Sequence, residues 1–434
     1  MRRGTNRLVI VLAVVAVSLV LNCFHLVSFP DNIGLPVGQS RSFDLYVSLP
    51  VKARLLTGTG VKLNKTWLTE KPVRLNSGPS FTLETADPGR FEVELLLFGV
   101  PCRRISVEAK EPDIVIPGGH AIGVLLACEG IIVVGYDKIL EAGGTFSPAK
   151  DAGILPGDIL LEANGTVLLK VADLIQAVEE AGQENKTLAL ILKRGTETKQ
   201  IDLRPVETNK KTFRIGLYVR EGASGVGTLS FYDPDRGCFG ALGHIVTDED
   251  TGAPLVVRDG SIVKAFISSI NAGARGQPGE KVGVFLPEAN ILGPITANTH
   301  YGIFGVLKEP LQNPHFPAGV PVAMAGEVYP GPAKIYTVLE QDKIESFDAE
   351  IERVISQYSP TDKGLVLRIT DEKLIDRAGG IIQGMSGSPI IQDGKLAGVV
   401  THVFVNDPSR GFGILAEWML EKGRSVLKGA AGPP

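Results

Sequence analysis

From Thr212 to about Gly413 the chain is cut into short alternating or apolar segments. Among them are FRIGLYVR, GTLSFYD, CFGALGHIV, SIVKAFISSI, GLVLRIT and KLAGVVTHVFV, with Gly, Pro and Asp between them. Segments of this length and period read as strands. About a dozen of them with so little helical pattern restrict this part to a double β-barrel or a large sandwich. The whole chain of 434 residues is too long for one ordinary core, so two or three domains are expected. A net charge of −4 offers no electrostatic case for binding nucleic acid. Four cysteines do not make a disulfide scaffold. With Cys23 in an apolar run, Cys102, Cys128 and Cys238 leave room for at most one internal bridge. The six histidines are scattered without HExxH, and no CxxC occurs, so neither a metal nor a cofactor is expected.

The N-terminus carries a different signal. Arg2, Arg3 and Arg7 precede an apolar run from Leu8 to Phe29 that contains no acidic residue, Lys or Arg. That run is long enough to cross a bilayer as a helix, and its basic flank should stay in the cytoplasm. No A-x-A cleavage site follows it, which favours an uncleaved anchor over a signal peptide. Asn22 before Cys23 disfavours a lipoprotein. Residues 1–30 are therefore expected to be a cytoplasmic flank and signal-anchor, with the bulk exported. Residues 31–112 read as a linker and small all-β domain without evident chemistry.

In residues 113–206, IVIPGGHAIGVLL and GIIVVGY read as strands and FSPAKDAGI as a short helix. VADLIQAVEEAG places Val171, Leu174, Ile175 and Val178 at helical spacing. LALILKRGTETKQIDLRPV closes the region as a hairpin. The SPAKDAGILPGDILLEANGTVL run resembles the PDZ domains attached to bacterial proteases. That resemblance implies an α+β domain with a groove between a strand and a helix, where an extended peptide adds as a further strand. Gly123, Val124 and Leu125, or Gly130 and the residues after it, are the candidates to receive a peptide carboxylate there.

The third region, 207–434, holds the chemistry. QGMSGSPII packs Gly384, Ser386, Gly387, Ser388 and Pro389 between two apolar segments, and GALGHIVTD places His244 after Gly243 in another small-residue turn. A serine hydroxyl needs a base to act as a nucleophile near neutral pH, and backbone N–H groups beside it to hold an oxyanion. The amides of Gly384 and Ser386 are placed to do this. The G-x-S-G-x-P turn resembles that of trypsin-like serine peptidases. Here Met385 and Ser388 stand where Asp and Gly are usual, so activation by a buried N-terminus is not expected.

An apolar N-terminal run, a PDZ domain before the peptidase, ALGHIVTD and GMSGSPI with THVFVNDP together resemble the SpoIVB peptidase family of endospore-forming bacteria. The resemblance covers almost the whole chain. It implies Ser386 as nucleophile, His244 as base and Asp371 as acid. His402 is the competing histidine, Asp248 and Asp376 are the alternative acids, and Ser388 is expected to cap the turn. Asp371 lies fifteen residues before Ser386, an unusual place for the acid, and an N-cap of the following helix is its rival role.

The fold class expected is mainly β: an N-terminal transmembrane helix, a small β domain, a PDZ domain and a trypsin-like double β-barrel. The function implied is a membrane-anchored serine endopeptidase, acting in the space between two membranes. It would cleave itself and a membrane-bound regulator of an intramembrane protease, and so activate the mother-cell sigma factor K. The alternatives are a PDZ scaffold with a silent protease fold and a general exported quality-control protease.

Overall fold

The computed structural model describes residues 29, 31–45, 47, 49–75, 80–141, 144–248, 250–255, 257–285, 290–355 and 361–430. The expected transmembrane helix from Leu8 falls outside these residues, apart from Phe29. Among the described residues no helix is long and apolar enough to cross a membrane. The chain forms two compact units, Met1–Asp113 with Val322–Glu327, and Ile114–Pro321 with Val328–Pro434.

The first unit holds a five-stranded sheet and a four-stranded sheet. Alternation along Val51–Thr57 and Ser80–Thr85 sends every second side chain inward, as period-2 strands require. Leu35, Leu63, Leu83, Leu95, Ile105 and Val107 form its core, each almost fully buried. Glu94 is buried too, and its carboxylate is held by Arg54 at 2.6 Å and Arg104 at 3.3 Å. No reactive constellation accompanies this core.

In the second unit one sheet closes on itself through the strands Ala121–Tyr136, Val257–Lys264, Ile291–Thr299, Gly302–Val306, Cys238–Ala241 and Leu217–Asp233. A second closed barrel follows, from Gly331–Glu340, Lys343–Val354, Leu365–Ile369, Asp407–Leu415, Lys395–Phe404 and Pro389–Gln392. Phe231, Phe239 and Phe304 fill the first barrel's side and Phe347 the second's. The C-terminal helix Ala416–Ala430 buries Met419 and Leu420, and Arg424 reaches the fully buried Asp233 at 2.8 Å.

The PDZ domain is not a separate bead between 113 and 206. The sequence reading treated HAIGVLL and GIIVVGY as two strands, but they are one, Ala121–Tyr136, with a register shift between Ala127 and Ile132. Its first half belongs to the barrel and its second half to the PDZ domain. Leu217–Asp233 runs back antiparallel beside it. Ile114–Pro117 likewise pairs with barrel strands, at Tyr232 and at Val320. The PDZ domain is thus inserted within the first barrel, and it needs Leu217–Arg220, beyond the expected boundary at 206. Its core of Ile131, Val133, Ile154, Leu160, Leu174, Val178, Leu188 and Leu190 is distinct from the barrel's.

One ion pair fastens that core. Asp158 is almost fully buried and accepts from Leu155 N, from Arg194 Nε at 2.7 Å and from Arg194 Nη2 at 2.6 Å. Removing one partner of a buried pair leaves the other charge uncompensated. Asp158→Ala should destabilise the PDZ domain by about 3 kcal/mol, read as loss of hydrogen-exchange protection in Ile159–Ala163 and Leu188–Arg194.

Candidate active site

Thr228, in the middle of the long strand Leu217–Asp233, anchors the turn that carries Ser386. Its N–H donates to Ser386 O at 3.0 Å and its hydroxyl to Gly384 O at 2.7 Å. On the other side, Lys281 N donates to Gln383 O at 3.0 Å and Gln383 N to Gly279 O at 2.8 Å. Ser388 closes the turn, its hydroxyl donating to Met385 O at 2.6 Å. With their carbonyls committed to Thr228, Gly384 and Ser386 have N–H groups that donate to no other group among the described residues. Two uncommitted amides beside a serine hydroxyl are what an oxyanion requires. Gly387 is obligatory for packing: at φ +100° a Cβ would lie 1.9 Å from Thr228 O.

His244 reaches the same place from the first barrel. Leu242 and Gly243 both have positive φ, which turns the chain sharply after Cys238–Ala241. His244, Gly384 and Ser386 line one cavity of about 540 Å³ with Val124, Leu126, Val226, Leu242 and Val246. The walls are mostly apolar, and Arg220 and Thr247 add polar groups at the edge. The ring nitrogen Nδ1 of His244 lies 2.8 Å from Ile245 O. Burial holds the His244 pKa below the usual imidazole value, against the pull of the Ile245 carbonyl and Asp362. The ring is therefore neutral near pH 7, as a base must be. The Ser386 hydroxyl donates to Thr401 O at 2.6 Å, so reaching His244 requires a rotation about its χ1.

Asp371 is not with them. It is the N-cap of the helix Glu372–Ala378, one carboxylate oxygen accepting from Leu374 N and the other from Asp348 N at 3.1 Å. The cap role weighed for Asp371 is what the structure contains, and among the described residues Asp371 makes no hydrogen bond to His244. The alternatives fare no better. Asp248 is buried and holds its own turn by accepting from Thr251 N and Oγ1 at 2.9 Å, and Asp376 is exposed on the helix. His402, the competing histidine, lies with its ring 4.8 Å from that of His244.

The PDZ expectation also needs correction. Gly123, Val124 and Leu125 each have a strand on both sides, pairing with Val226, Gly225 and Ser224 and with Val263, Ile262 and Ser261. No edge is left there for a peptide. Gly130 sits where a Cβ would meet Leu160 O at 2.4 Å, so close packing explains it. Among the described residues, the unpaired edge beside the helix Val171–Gln183 belongs to Leu217–Arg220, whose other edge pairs with Ile132–Tyr136. Val171 N donates to Glu221, just past Arg220 on the same strand, which ties that strand to the start of the helix. The signal was FRIGLYVR, which the sequence reading had placed in the following domain.

Among the described residues no group of three or more His, Cys, Asp or Glu is placed to hold a metal ion. Cys128 and Cys238 are buried free thiols, and burial pushes the Cys238 pKa up to about 11.

A serine beside uncommitted amides and a neutral histidine facing the same cavity are the parts of a serine peptidase. Residues 211–420 match the SpoIVB peptidase S55 family and residues 139–191 a PDZ domain. Together the two matches support a PDZ-containing serine peptidase of the SpoIVB family. No curated protein matched it. Among solved structures, the PDZ domain of an SdrC-like protein from Listeria monocytogenes is 21% identical, covering 21% of this chain and 87% of that one, at a TM-score of 0.17. The active form of the Rv3671c protease from M. tuberculosis is 16% identical, covering 47% and 74%, at 0.25. The HtrA-type protease AlgW with a decapeptide is 13% identical, covering 48% and 55%, at 0.28. The chain thus spans about half the length of that last protease. At such low TM-scores these likenesses say nothing further about the site.

Lys281 lies against Gly384 of the serine turn and has no carboxylate partner among the described residues. Its Nζ donates to Thr337 Oγ1 at 2.7 Å and to Thr228 Oγ1 at 3.4 Å, and burial pushes its pKa down from 10.5 to about 7. Between those values the unfolded chain binds more protons than the folded one, so stability rises with pH through that window. Below about pH 7 the full cost of the buried ammonium is present. Lys281→Met keeps the stem and drops the charge. It should melt above wild type at about pH 7, with the gap closing toward about pH 10.

Proposed function

We propose that Ser386 is the nucleophile and His244 the general base of an endopeptidase, with the amides of Gly384 and Ser386 as its oxyanion site. The observation that carries this reading is the pinning of the Ser386 turn by Thr228, which leaves those two N–H groups uncommitted in the cavity that His244 lines. The Ser386 proton passes to His244 as Oγ attacks the peptide carbonyl, and then to the leaving amine. A PDZ ligand adds as a strand to Leu217–Arg220 beside the helix Val171–Gln183, in the manner of β-augmentation.

Kinship with the SpoIVB family supports a finer reading. The enzyme is anchored through its apolar N-terminal run and exported into the intermembrane space of the forespore. There it cuts itself and a membrane-bound regulatory protein, releasing an intramembrane protease that matures sigma factor K. The basic Arg2, Arg3 and Arg7 ahead of an uncharged run support the anchor.

Wild-type and Ser386→Ala chains expressed side by side test the assignment. Wild type should label with a serine-directed phosphonate and shorten itself near its N-terminal region, while Ser386→Ala does neither. His244→Ala should fall nearly as far, and the double variant little further, because members of one catalytic unit are strongly non-additive. Equal shortening of wild type and Ser386→Ala would point to a host protease and remove the self-cleavage reading. Equal labelling of the two would remove the nucleophile.

A further inference from the structure

The first unit begins where the apolar run Leu8–Phe29 ends. Phe29 is itself a core residue, packed against Phe43 and Phe81 with ring centroids 6.2 and 5.8 Å away. Arg103 clamps the entry, its guanidinium donating to Phe29 O and pairing with Asp31 Oδ1 at 2.7 Å. From Asn32 the chain runs parallel to the second arm of the hairpin Gly89–Leu97 and Val100–Lys110, with Asn32 level with Ser106. A parallel neighbour enters at the end where that arm starts. The arm starts at the hairpin's tip, so the tip and the incoming chain share one end of the domain. Val100 precedes Arg103 on this arm by about 10 Å.

The tip is apolar and exposed. Phe98 is 64% and Val100 65% exposed, and Gly99 and Pro101 are exposed beside them. Single exposed apolar side chains are ordinary. Here the backbone adds a second observation. Leu97 pairs with Val100, and the two residues between them, Phe98 at φ +53° and Gly99 at φ +85°, both have positive φ. Hairpin turns of that kind favour Asn-Gly, and a bulky side chain at positive φ is strained. The fold alone gives no reason for a phenylalanine there. Strain kept at an exposed position points to a contact outside the fold.

We propose that the Phe98–Pro101 tip sinks into the bilayer that the N-terminal apolar run crosses. The proposal rests on the reading of Leu8–Phe29 as an anchor. That reading makes lipid the occupant, because Phe29 is held in the domain core and no spacer separates the end of the run from the tip. Interfacial apolar side chains sink about 5–10 Å, which is the reach of the tip beyond Arg103. Arg104, on the same arm and largely exposed, then stands at headgroup level, where a guanidinium suits anionic lipid. Anchor and tip give the first unit two points of attachment, and so one orientation on the membrane.

The test uses full-length protein carrying Ser386→Ala, which keeps the N-terminal run attached. It is reconstituted into vesicles of phosphatidylglycerol and phosphatidylcholine, the latter either plain or brominated on its acyl chains. Phe98→Trp should lose about half of the emission it adds to that of Trp67 and Trp418 when the lipid is brominated. Val167→Trp, exposed on the PDZ strand Thr166–Val167, should lose none. Phe98→Asn should melt no lower than its parent, since Asn suits positive φ better. Equal Phe98→Trp emission in the two kinds of vesicle, with the chain floating with lipid, would overturn the proposal. A blue-shifted emission that bromine leaves unchanged would do the same, placing the tip against protein, a second copy included. Equal quenching at Val167 would remove the special place of the tip, and a lower melting point in Phe98→Asn would return Phe98 to a role inside the fold. If the parent chain does not float with the vesicles, the anchor reading itself fails and the proposal falls with it.

Discussion

The antiparallel pairing of Ala121–Tyr136 with Leu217–Asp233 is the interaction on which the second unit depends. Its outer half, Ile132–Tyr136 against Leu217–Arg220, builds the PDZ domain, and its inner half closes the first barrel. Further along, the same strand reaches Thr228, which holds the Ser386 turn by two hydrogen bonds. A single ribbon therefore carries the strand beside the PDZ helix, the wall of the cleft and the anchor of the Ser386 turn. Backbone pairing over that length resists slippage, because a one-residue shift would turn Ile122, Val124 and Leu126 from the core to the opposite face.

Burial shifts the titratable groups beside the Ser386 turn toward their neutral forms. His244 and His402 are both shifted toward the neutral ring, and Lys281 toward the neutral amine. A low-dielectric cleft of this kind strengthens whatever charge does form, which is the setting in which two backbone amides can stabilise an oxyanion. The absence of an Asp before Ser386 fits the same arrangement. The turn is held by Thr228 and the Lys281 strand and has no need of a buried ion pair formed by a new N-terminus.

Much of this was legible in the chain. Period-2 segments with Gly and Pro between them named the β architecture, the SPAKDAGILPGD run named the PDZ domain, and GMSGSPI with GALGHIV placed the serine and one histidine. Local rules reach that far because turn chemistry and alternation are properties of neighbouring residues. The errors fall where distant segments decide. Domain boundaries were drawn as contiguous blocks, yet the PDZ domain borrows Leu217–Arg220 and lends nothing of Ala121–Ala127. The family pattern pointed to Asp371, but what that carboxylate meets, here the cap of Glu372–Ala378, is a matter of barrel closure and not of distance along the chain.

By itself the sequence determined the class of the protein: strands enough for barrels, a PDZ domain, and a serine and a histidine each in a turn of small residues. Those features are written in short windows, where steric and hydrogen-bonding preferences act directly. Only the tertiary structure decided which histidines and carboxylates share a cavity, that Asp371 caps a helix while Asp362 stands beside His402, and which strand edge is left unpaired. Those outcomes depend on contacts between residues far apart in the chain, set by the order in which the strands close each barrel.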